Sequence, residues 1–393
     1  MGYTVIGPLA KLDRAEGVFM RDNRSRAYKR LALLFAVLLA AGCHGPSPTS
    51  PPVLNTQSAA EQSTLGSNVA LAGSSNPVFR EIALPAGQRY PRDIVSTPNG
   101  VWVLTSGAVN VFRNSEFSTF RLPSGYFYNG LAYAQHAIWA GAVTASFVSS
   151  TSTLFRISES GQMEPVTGGP TTPESWGAPD VIISGEHDTV LFTFSSDDFC
   201  GFVDEITPAE NGVVLDETCP HPSGIAVGPD HNLYVNRFDL ETYNDFVEVL
   251  SPGGKELRNL PLPNNSGPQG IATGPDGALW ITLAGADAIG TMTTNGTLTT
   301  YPLPTANALH GLYLYDNAST AQIIEGTNND LWFVEHNANK IGRITTGGVL
   351  TEYRIPTPHS APSGISLCQP VSAKHECVWF AESAANKIGQ LSL

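Results

Sequence analysis

The sequence is short of basic residues and of charge in general. Its 393 residues contain 21 Lys and Arg against 35 Asp and Glu, and charged side chains make up only 14% of the chain. The resulting net charge of −14 repels phosphate backbones, which excludes nucleic-acid binding driven by counterion release. The shortage of Glu and Lys also argues against a helical protein, because exposed helix faces are usually built from them.

The sequence also lacks the common catalytic and nucleotide-binding motifs. No Gly-x-Gly-x-x-Gly, His-Glu-x-x-His, Gly-x-Ser-x-Gly or EF-hand pattern occurs. None of the 5 cysteines forms a Cys-x-x-Cys pair, which disfavours a zinc site. Glycine and proline are abundant, with 38 and 29 copies, alongside 17 Phe, 12 Tyr and 6 Trp. Many turn formers combined with many aromatic residues predict a folded, turn-rich chain.

The one long apolar run, residues 31–41, is too short to span a bilayer comfortably but suits the core of a signal peptide. It follows a basic cluster and ends at Leu39-Ala40-Ala41-Gly42-Cys43, which resembles the lipobox of bacterial lipoproteins. We therefore expect a signal peptide over residues 1–42, with Met20 as the better start, and lipidation of Cys43. The alternative is an ordinary cleaved signal with an incidental cysteine.

Residues 43–76 contain mostly Ser, Thr, Pro, Ala, Gln and Gly, so we expect a flexible linker there. Without residues 1–42, which carry seven basic and three acidic side chains, the chain has 14 basic and 32 acidic residues, a net charge of −18. These features predict an exported protein that is lipid-anchored to the bacterial cell envelope. In a cell with two membranes, we expect it at the outer membrane or on the periplasmic side.

An internal repeat occupies the remaining residues, 77–393. In its clearest copy, Pro268-Gln269-Gly270-Ile271 precedes the turn Gly274-Pro275-Asp276-Gly277, and Leu279-Trp280-Ile281 forms the returning strand. The apolar–aromatic pair of that strand recurs seven times, at Val101-Trp102, Ile138-Trp139, Leu191-Phe192, Leu233-Tyr234, Leu279-Trp280, Leu331-Trp332 and Val378-Trp379. Four short strands per period of this length predict an all-β fold, a seven-bladed β-propeller of four-stranded antiparallel blades.

The two ends of the repeat region complement each other. The last repeat lacks a fourth strand, whereas residues 79–85 resemble the fourth strands of other repeats, so we expect this N-terminal strand to complete the last blade. Cys368 and Cys377 flank a loop within one hairpin and are close enough to pair. Cys200 and Cys219 then remain for each other, and export is compatible with both disulfides.

The repeat resembles the virginiamycin B lyase (streptogramin lyase) family of seven-bladed propellers. The resemblance rests on Pro-x-Gly-Ile, on Gly-Pro-Asp-Gly, on Leu331-Trp332-Phe333-Val334-Glu335 and on Asn339-Lys340-Ile341-Gly342-Arg343. It extends over the propeller and is strongest from His221 onward. NHL-repeat and gluconolactonase-like propellers share the Gly-Pro-Asp-Gly turn, but the latter resemble six-bladed rings, and the count of seven argues against them.

Two positions of each repeat are expected at one face of the propeller, around the central channel. They are the x of Pro-x-Gly-Ile and the residue that ends the second strand. Because these side chains differ from blade to blade and are mostly polar, we interpret them as a ligand-binding ring that includes Arg92, Asn129, Asp180, Arg237, Gln269 and Ser363. Arg237 is a strong candidate, since a charge in a channel needs a partner or a ligand.

The candidate catalytic residues are His310, Glu335 and Glu382. A histidine with two carboxylates can serve in acid–base catalysis or bind a divalent cation. The family resemblance implies that Mg²⁺ polarises an ester while a histidine removes the adjacent proton, and it matches His310 and Glu382 to family positions. However, Ala361 and Ser363 stand where the family has Glu-Pro-His-Gly-Ile, and a serine without a base cannot replace an imidazole.

Three hypotheses follow. In the first, the protein is an anchored propeller that binds a small molecule or an envelope ligand without catalysis. In the second, it is a metal-assisted lyase or hydrolase that opens an ester or lactone. In the third, it is a protein-interaction platform. We expect a monomer that contacts the membrane only through its lipid and has no nucleic-acid partner. No cofactor is certain, and Mg²⁺ belongs to the second hypothesis alone.

Overall fold

The computed structural model describes residues 77–144, 152–166, 179–195, 200–208, 212–239, 242, 244–309, 322–371 and 376–393. Within them, 28 β-strands form seven four-stranded antiparallel sheets, which confirms the seven-bladed β-propeller predicted from the repeat. The expected signal peptide, the linker, Cys43 and His310 lie outside the described residues. No helix in the described part of the chain has the length and hydropathy needed to cross a membrane.

Each of the first three blades takes four consecutive strands. Blade 1 contains β2 Asp93–Thr97, β3 Gly100–Leu104, β4 Ala108–Arg113 and β5 Glu116–Arg121. Blade 2 contains β6 Tyr126–Ala134, β7 Ala137–Thr144, β8 Ser152–Ile157 and β9 Met163–Pro165. Blade 3 contains β10 Pro179–Ser184, β11 Val190–Ser195, β12 Gly201–Ile206 and β13 Gly212–Thr218, with a short 3-10 helix at Glu186–Asp188.

Each of blades 4 to 6 likewise takes four consecutive strands. Blade 4 contains β14 His221–Val227, β15 Leu233–Phe238, β16 Phe246–Leu250 and β17 Glu256–Pro261. Blade 5 contains β18 Pro268–Thr273, β19 Leu279–Leu283, β20 Ala288–Met292 and β21 Leu298–Pro302. Blade 6 contains β22 Ile323–Glu325, β23 Asp330–Glu335, β24 Lys340–Thr345 and β25 Leu350–Arg354.

Blade 7 joins the two ends of the propeller. It contains β26 Pro362–Leu367, β27 Cys377–Glu382 and β28 Lys387–Ser392, and its outer strand is β1 Val78–Ala83. The antiparallel register of β1 and β28 runs from Val78 opposite Ser392 to Ala83 opposite Lys387. The predicted closure by the N-terminal strand is therefore confirmed, and it leaves blade 7 with no missing strand.

The recurring aromatic residues form the core between blades, as the repeat predicts. Trp102, Trp139, Trp280 and Trp332 are fully buried in the second strands of their blades. The tight turn supports this packing, because the Asp276 carboxylate accepts hydrogen bonds from the Ala278 amide and from Trp280 Nε1, both at 3.1 Å. The turn aspartate thus accepts hydrogen bonds both from the backbone of its own loop and from the indole nitrogen of the buried tryptophan.

Both predicted disulfides are present. Cys200 pairs with Cys219, with Cα atoms 4.1 Å apart, and links the start of β12 to the end of β13. Cys368 pairs with Cys377, with Cα atoms 5.4 Å apart, and joins β26 to β27. Each disulfide therefore links segments of one blade.

Candidate functional site

The innermost strands β2, β6, β10, β14, β18, β22 and β26 surround the centre of the propeller, and each contacts the innermost strand of the next blade. Strand register places the two sets of candidate positions at the same end of blades 4, 5 and 7. Pro222 lies opposite Arg237, Pro268 opposite Leu283 and Pro362 opposite Glu382. The expected face is therefore formed, and we call the end that carries these residues the channel face.

The Pro-x-Gly segment is a β-bulge in most blades. The pairing register shifts there in blades 2, 3, 4, 5 and 7. Gly130 and Gly364 adopt left-handed φ values of 57° and 53° at this point. A bulge re-aims the side chain beside it, so the x residue does not follow the simple alternation of a strand.

The two serines at the x position connect neighbouring blades. The Ser223 hydroxyl donates to the Pro268 carbonyl at 2.6 Å, and the Ser363 hydroxyl donates to the Pro91 carbonyl at 3.2 Å. In each case the serine of one blade bonds to the proline of the next blade. Ser363 is also buried, so its hydroxyl serves in a joint between blades 7 and 1.

The remaining x residues differ from the serines. Arg92 Nη1 lies 3.4 Å from Asn129 Oδ1, so the x residues of blades 1 and 2 contact each other directly. The Gln269 carbonyl accepts a bond of 3.0 Å from Asn236 of the preceding blade. Asp180 lies in strand β10, but its side chain is outside the described residues. The structure thus brings Arg92 and Asn129 together at the channel face.

Arg237 does not have the surroundings expected of a channel residue. It is fully buried, and its guanidinium bonds to Glu248 Oε2 at 2.7 Å, to the Pro220 carbonyl at 3.1 Å and to the Asp216 carboxylate. Asp216 lies in β13, so this cluster joins blades 3 and 4. The charge of Arg237 is therefore balanced by the carboxylates of Asp216 and Glu248, which supply the partner that a buried charge needs.

Glu335 and Glu382 end the second strands of blades 6 and 7, and both are fully buried. Neither carboxylate oxygen of Glu335 has a hydrogen-bond partner among the described residues, whereas Ser360 lies beside Glu382 and acts to lower its pKa. Burial, together with the nearby negative charge of Glu352, raises the pKa of Glu335 to about 8. Burial, together with the charge of Glu81, raises the pKa of Glu382 to about 7. Both carboxyl groups therefore hold a proton far more readily than an exposed glutamate does.

Each of these glutamates has its own, equivalent surroundings. Beside Glu335, the Glu352 carboxylate accepts bonds from the Thr305 amide at 3.0 Å and hydroxyl at 2.7 Å, and Lys340 contacts the same groups. Beside Glu382, the corresponding groups are Glu81, Thr357 and Lys387. The two carboxylates thus occupy two copies of one interblade arrangement, and His310, their expected neighbour, lies outside the described residues.

The described residues do not fit a metal. They contain no group of three or more His, Cys, Asp or Glu side chains that could hold an ion. The buried oxygens of Glu335 and Glu382 also lie near the ammonium groups of Lys340 and Lys387, which lower the pKa of the two carboxyl groups by their positive charge. The catalytic roles of Glu335 and Glu382 stay predictions, and no step through Mg²⁺ is derived from them.

Sequence reasoning missed Asp93, a buried carboxylate on the innermost strand of blade 1. Asp93 Oδ2 accepts the Leu131 amide at 2.7 Å, and Oδ1 accepts its neighbour Ile94 at 2.8 Å and Gln322 Nε2 at 3.3 Å. Gln322 in turn accepts the Ile365 amide at 2.9 Å. This chain of bonds connects blades 1, 2, 6 and 7, and burial raises the pKa of Asp93 to about 6.

The sequence carried a signal for this cluster. In blade 1 the motif reads Pro91-Arg92-Asp93-Ile94, so aspartate replaces the glycine of Pro-x-Gly-Ile. The register of blade 1 shows no shift at Asp93, unlike the bulged blades. The departure from the motif therefore marks a change of local structure as well as of side chain.

His336 was also missed. It directly follows Glu335, and its Nδ1 lies 2.9 Å from the carbonyl of Pro362, the residue before Ser363. Because a carbonyl can only accept, Nδ1 carries the proton of this bond. An imidazole from blade 6 thus lies beside the segment of blade 7 that departs from the family motif.

Comparison with known proteins gives one family. The chain matches the Virginiamycin B lyase family over residues 134–313 and 250–393. A virginiamycin B lyase of Saccharopolyspora erythraea is 32% identical over 106 residues, 27% of this chain and 32% of that protein. A virginiamycin B lyase of Nocardia farcinica is 27% identical over 203 residues, 52% of this chain and 61% of that protein. The matches thus span about a third and three fifths of these two relatives.

Solved structures agree with the sequence comparisons. The selenomethionine-substituted virginiamycin B lyase of Staphylococcus aureus superposes with a TM-score of 0.65 at 25% identity, covering 81% of this chain and 100% of that one. A catalytically inactive histidine-to-alanine variant of the same enzyme with quinupristin gives a TM-score of 0.64 at 25% identity, with the same coverage of both chains.

Proposed function

The chain belongs to the virginiamycin B lyase family, and from that premise we propose that it is a ligand-binding propeller whose channel face holds an ester- or lactone-containing molecule without opening it. One observation carries the second half of this proposal. Ser363 stands where the family motif has histidine, is buried, and donates its hydroxyl to Pro91. A serine held in this bond supplies no base for removing a proton beside an ester.

Ligand binding is supported by the unequal x residues. The fold uses serine in blades 4 and 7 to join neighbouring blades, whereas Arg92 and Asn129 form a polar pair in blades 1 and 2. A concave face with a few polar groups of differing chemistry is typical of small-molecule sites. The relative solved with quinupristin indicates the size and kind of ligand to try first.

The test uses purified protein, quinupristin and Mg²⁺. Calorimetry measures binding, and chromatography separates the intact lactone from the ring-opened product, with the Staphylococcus aureus enzyme as the positive control. We expect heat of binding and no product. Product formation would contradict the absence of lyase chemistry, and the absence of binding would contradict the proposed ligand class.

The position of His336 favours a second candidate function, an elimination of the lyase type. In this reaction the imidazole would take the proton next to the ester while the C–O bond breaks and the carboxylate leaves, so no water is consumed. If product forms, His336→Gln should abolish it. His231→Gln, at an exposed histidine of blade 4, should leave the rate unchanged. Equal rates in both variants would exclude His336 as the base.

We also propose that the protein acts at the bacterial cell envelope, as a monomer anchored by a lipid on Cys43. The apolar run before Cys43 and the linker after it support this location. The test is incorporation of labelled palmitate in a bacterial host, followed by membrane fractionation. We expect label and membrane association, both lost in Cys43→Ser. An unlabelled, fully soluble wild-type protein would contradict the proposal.

A further inference from the structure

Two exposed aromatic side chains lie at the channel face in adjacent blades. Tyr90 and Phe127 each precede the x residue of their blade by two positions, and each is 58% exposed. Two positions before the x residue, blades 5, 6 and 7 have Gly267, Ala308 and Ala361, and blade 4 has His221, which is buried. Since none of these four blades places an exposed large side chain at this position, the fold does not require the exposed rings of blades 1 and 2.

The backbone of Tyr90 strengthens this argument. Tyr90 has a φ of 54°, in the left-handed region where Gly267 has 57° and Ala361 has 50° in the equivalent positions. A bulky residue there is strained, and strain of this kind persists where the surrounding structure holds the residue in place. The Tyr90 amide donates to Asn386 Oδ1 of blade 7 at 2.9 Å, which supplies that support. The backbone of Tyr90 is therefore held at the channel face by a contact with blade 7.

The polar pair of Arg92 and Asn129 lies two residues further along the chain in each blade. Asn129 is only 7% exposed and Arg92 is half-buried, so both side chains are less exposed than the two rings. This corner of the channel face thus carries two exposed rings and, two residues after each ring, the bonded side chains of Arg92 and Asn129. We call these four residues, Tyr90, Arg92, Phe127 and Asn129, the aromatic corner.

We propose that the aromatic corner is a subsite for an aryl group that carries a carboxylate or carbonyl oxygen. The aryl ring stacks on Tyr90 and Phe127, and its oxygen faces the charge of Arg92 and the amide of Asn129. This inference rests on the proposed function, because it assigns one part of the ligand to one part of the channel face.

Small probes test the subsite without the whole ligand. Chemical-shift titration compares 3-phenylpropanoate with 3-cyclohexylpropanoate, which has no aromatic ring, and with phenethylammonium, which has the opposite charge. We expect only 3-phenylpropanoate to bind. Equal binding of the cyclohexyl compound, or binding of the cation, would overturn the proposed chemistry.

Variants then locate the site. The double variant Tyr90→Ala/Phe127→Ala should weaken binding of 3-phenylpropanoate about tenfold or more, as expected for the loss of two stacking partners. Alanine suits the backbone at position 90, since Ala361 has nearly the same φ in blade 7. Leu257→Ala, at an exposed apolar side chain of blade 4, is the matched control and should bind as the wild type does.

Quinupristin separates this inference from the proposed function. If quinupristin binds the wild type and the double variant equally, the subsite is wrong while the proposed function stands. If quinupristin does not bind but 3-phenylpropanoate binds and is lost in the double variant, the subsite stands and the proposed ligand class is wrong. If neither compound binds the wild type, both are overturned.

Discussion

The joint between blades 5 and 6 and the joint between blades 6 and 7 differ from the channel face of blades 1 and 2. Between blades 5 and 6, Thr305, Lys340 and Glu352 form one bonded group beside the buried Glu335. Between blades 6 and 7 the same group recurs as Thr357, Lys387 and Glu81 beside Glu382. Glu81 belongs to the N-terminal strand β1, far from the other residues in sequence. In blades 1 and 2, by contrast, Tyr90 and Phe127 stand where blades 5 to 7 have glycine or alanine, and Asp93 stands where the motif has glycine.

This difference separates two uses of polar residues in one ring. Where a residue recurs with all its partners, it holds neighbouring blades together. Where a residue departs from the repeat, as Asp93 does, it makes contacts that do not recur among the described residues of the other blades. The comparison favours a structural role for Glu335 and Glu382, and the residues that we propose to bind the ligand are those of the aromatic corner.

The largest effect is expected at the joint of blades 3 and 4. Arg237→Ala leaves the Asp216 and Glu248 carboxylates buried without their cation, which should cost about 3–5 kcal/mol of unfolding free energy. Denaturant unfolding measures this loss. Arg258→Ala, at an exposed arginine of β17, is the control and should change stability by less than about 0.5 kcal/mol. A small loss in Arg237→Ala would show that its charge is not balanced within the fold.

A smaller effect is expected from the pH dependence of the repeated joints. The folded pKa of Glu335, about 8, lies above the usual value of 4.5 that applies in the unfolded chain. Between these values the folded state holds a proton that the unfolded state has released, so stability falls as pH rises from about 4.5 to 8. Glu335→Gln should remove about 2 kcal/mol of this dependence between pH 6 and 8.

Thermal unfolding from pH 5 to 8 measures the dependence on Glu335. Glu382→Gln should act in the same direction, but the dependence that it removes should level off near pH 7 instead of pH 8, because the pKa of Glu382 is about 7. Glu256→Gln, at an exposed residue of β17, is the control. Identical pH profiles in the wild type and Glu335→Gln would show that this carboxyl group does not titrate as its burial requires.

The third prediction concerns Asp93, which stands where the repeat has glycine. Asp93→Gly recreates Pro-x-Gly-Ile in blade 1, yet it should destabilise the fold by about 1–3 kcal/mol, since the buried Leu131 amide and the Gln322 side chain lose their acceptor. Asp93→Asn keeps one acceptor oxygen and should lose less. Equal or higher stability in Asp93→Gly would show that the hydrogen bonds of Asp93 do not stabilise the fold.

The fold was predictable because each blade repeats the same apolar and turn residues. The aromatic pairs from Val101-Trp102 to Val378-Trp379 located seven second strands, and the similarity of residues 79–85 to a fourth strand predicted the ring closure. Such positions depend on local strand and turn preferences and on burial. These are the same in every blade.

Side-chain partners were less predictable, because they depend on which blades become neighbours and on how a bulge aims a residue. The position of Arg237 in its blade was read correctly, but its partner Asp216 lies on the outer strand of another blade. Asp93 contacts Gln322, 229 residues away, across the joined ends of the ring. His336 was passed over because no motif position marks it. For these contacts the sequence offered one sign, namely Asp93 at a position where the motif has glycine.

The central claim is that the ligand contacts the departures from the repeat and not the repeated carboxylates. A crystal structure of the protein soaked with quinupristin and Mg²⁺ tests it most directly. We predict an intact lactone at the channel face, with an aryl group against Tyr90 and Phe127 and no ion at Glu335 or Glu382. A metal bound by these two glutamates, or a ligand that leaves the aromatic corner uncovered, would contradict the account.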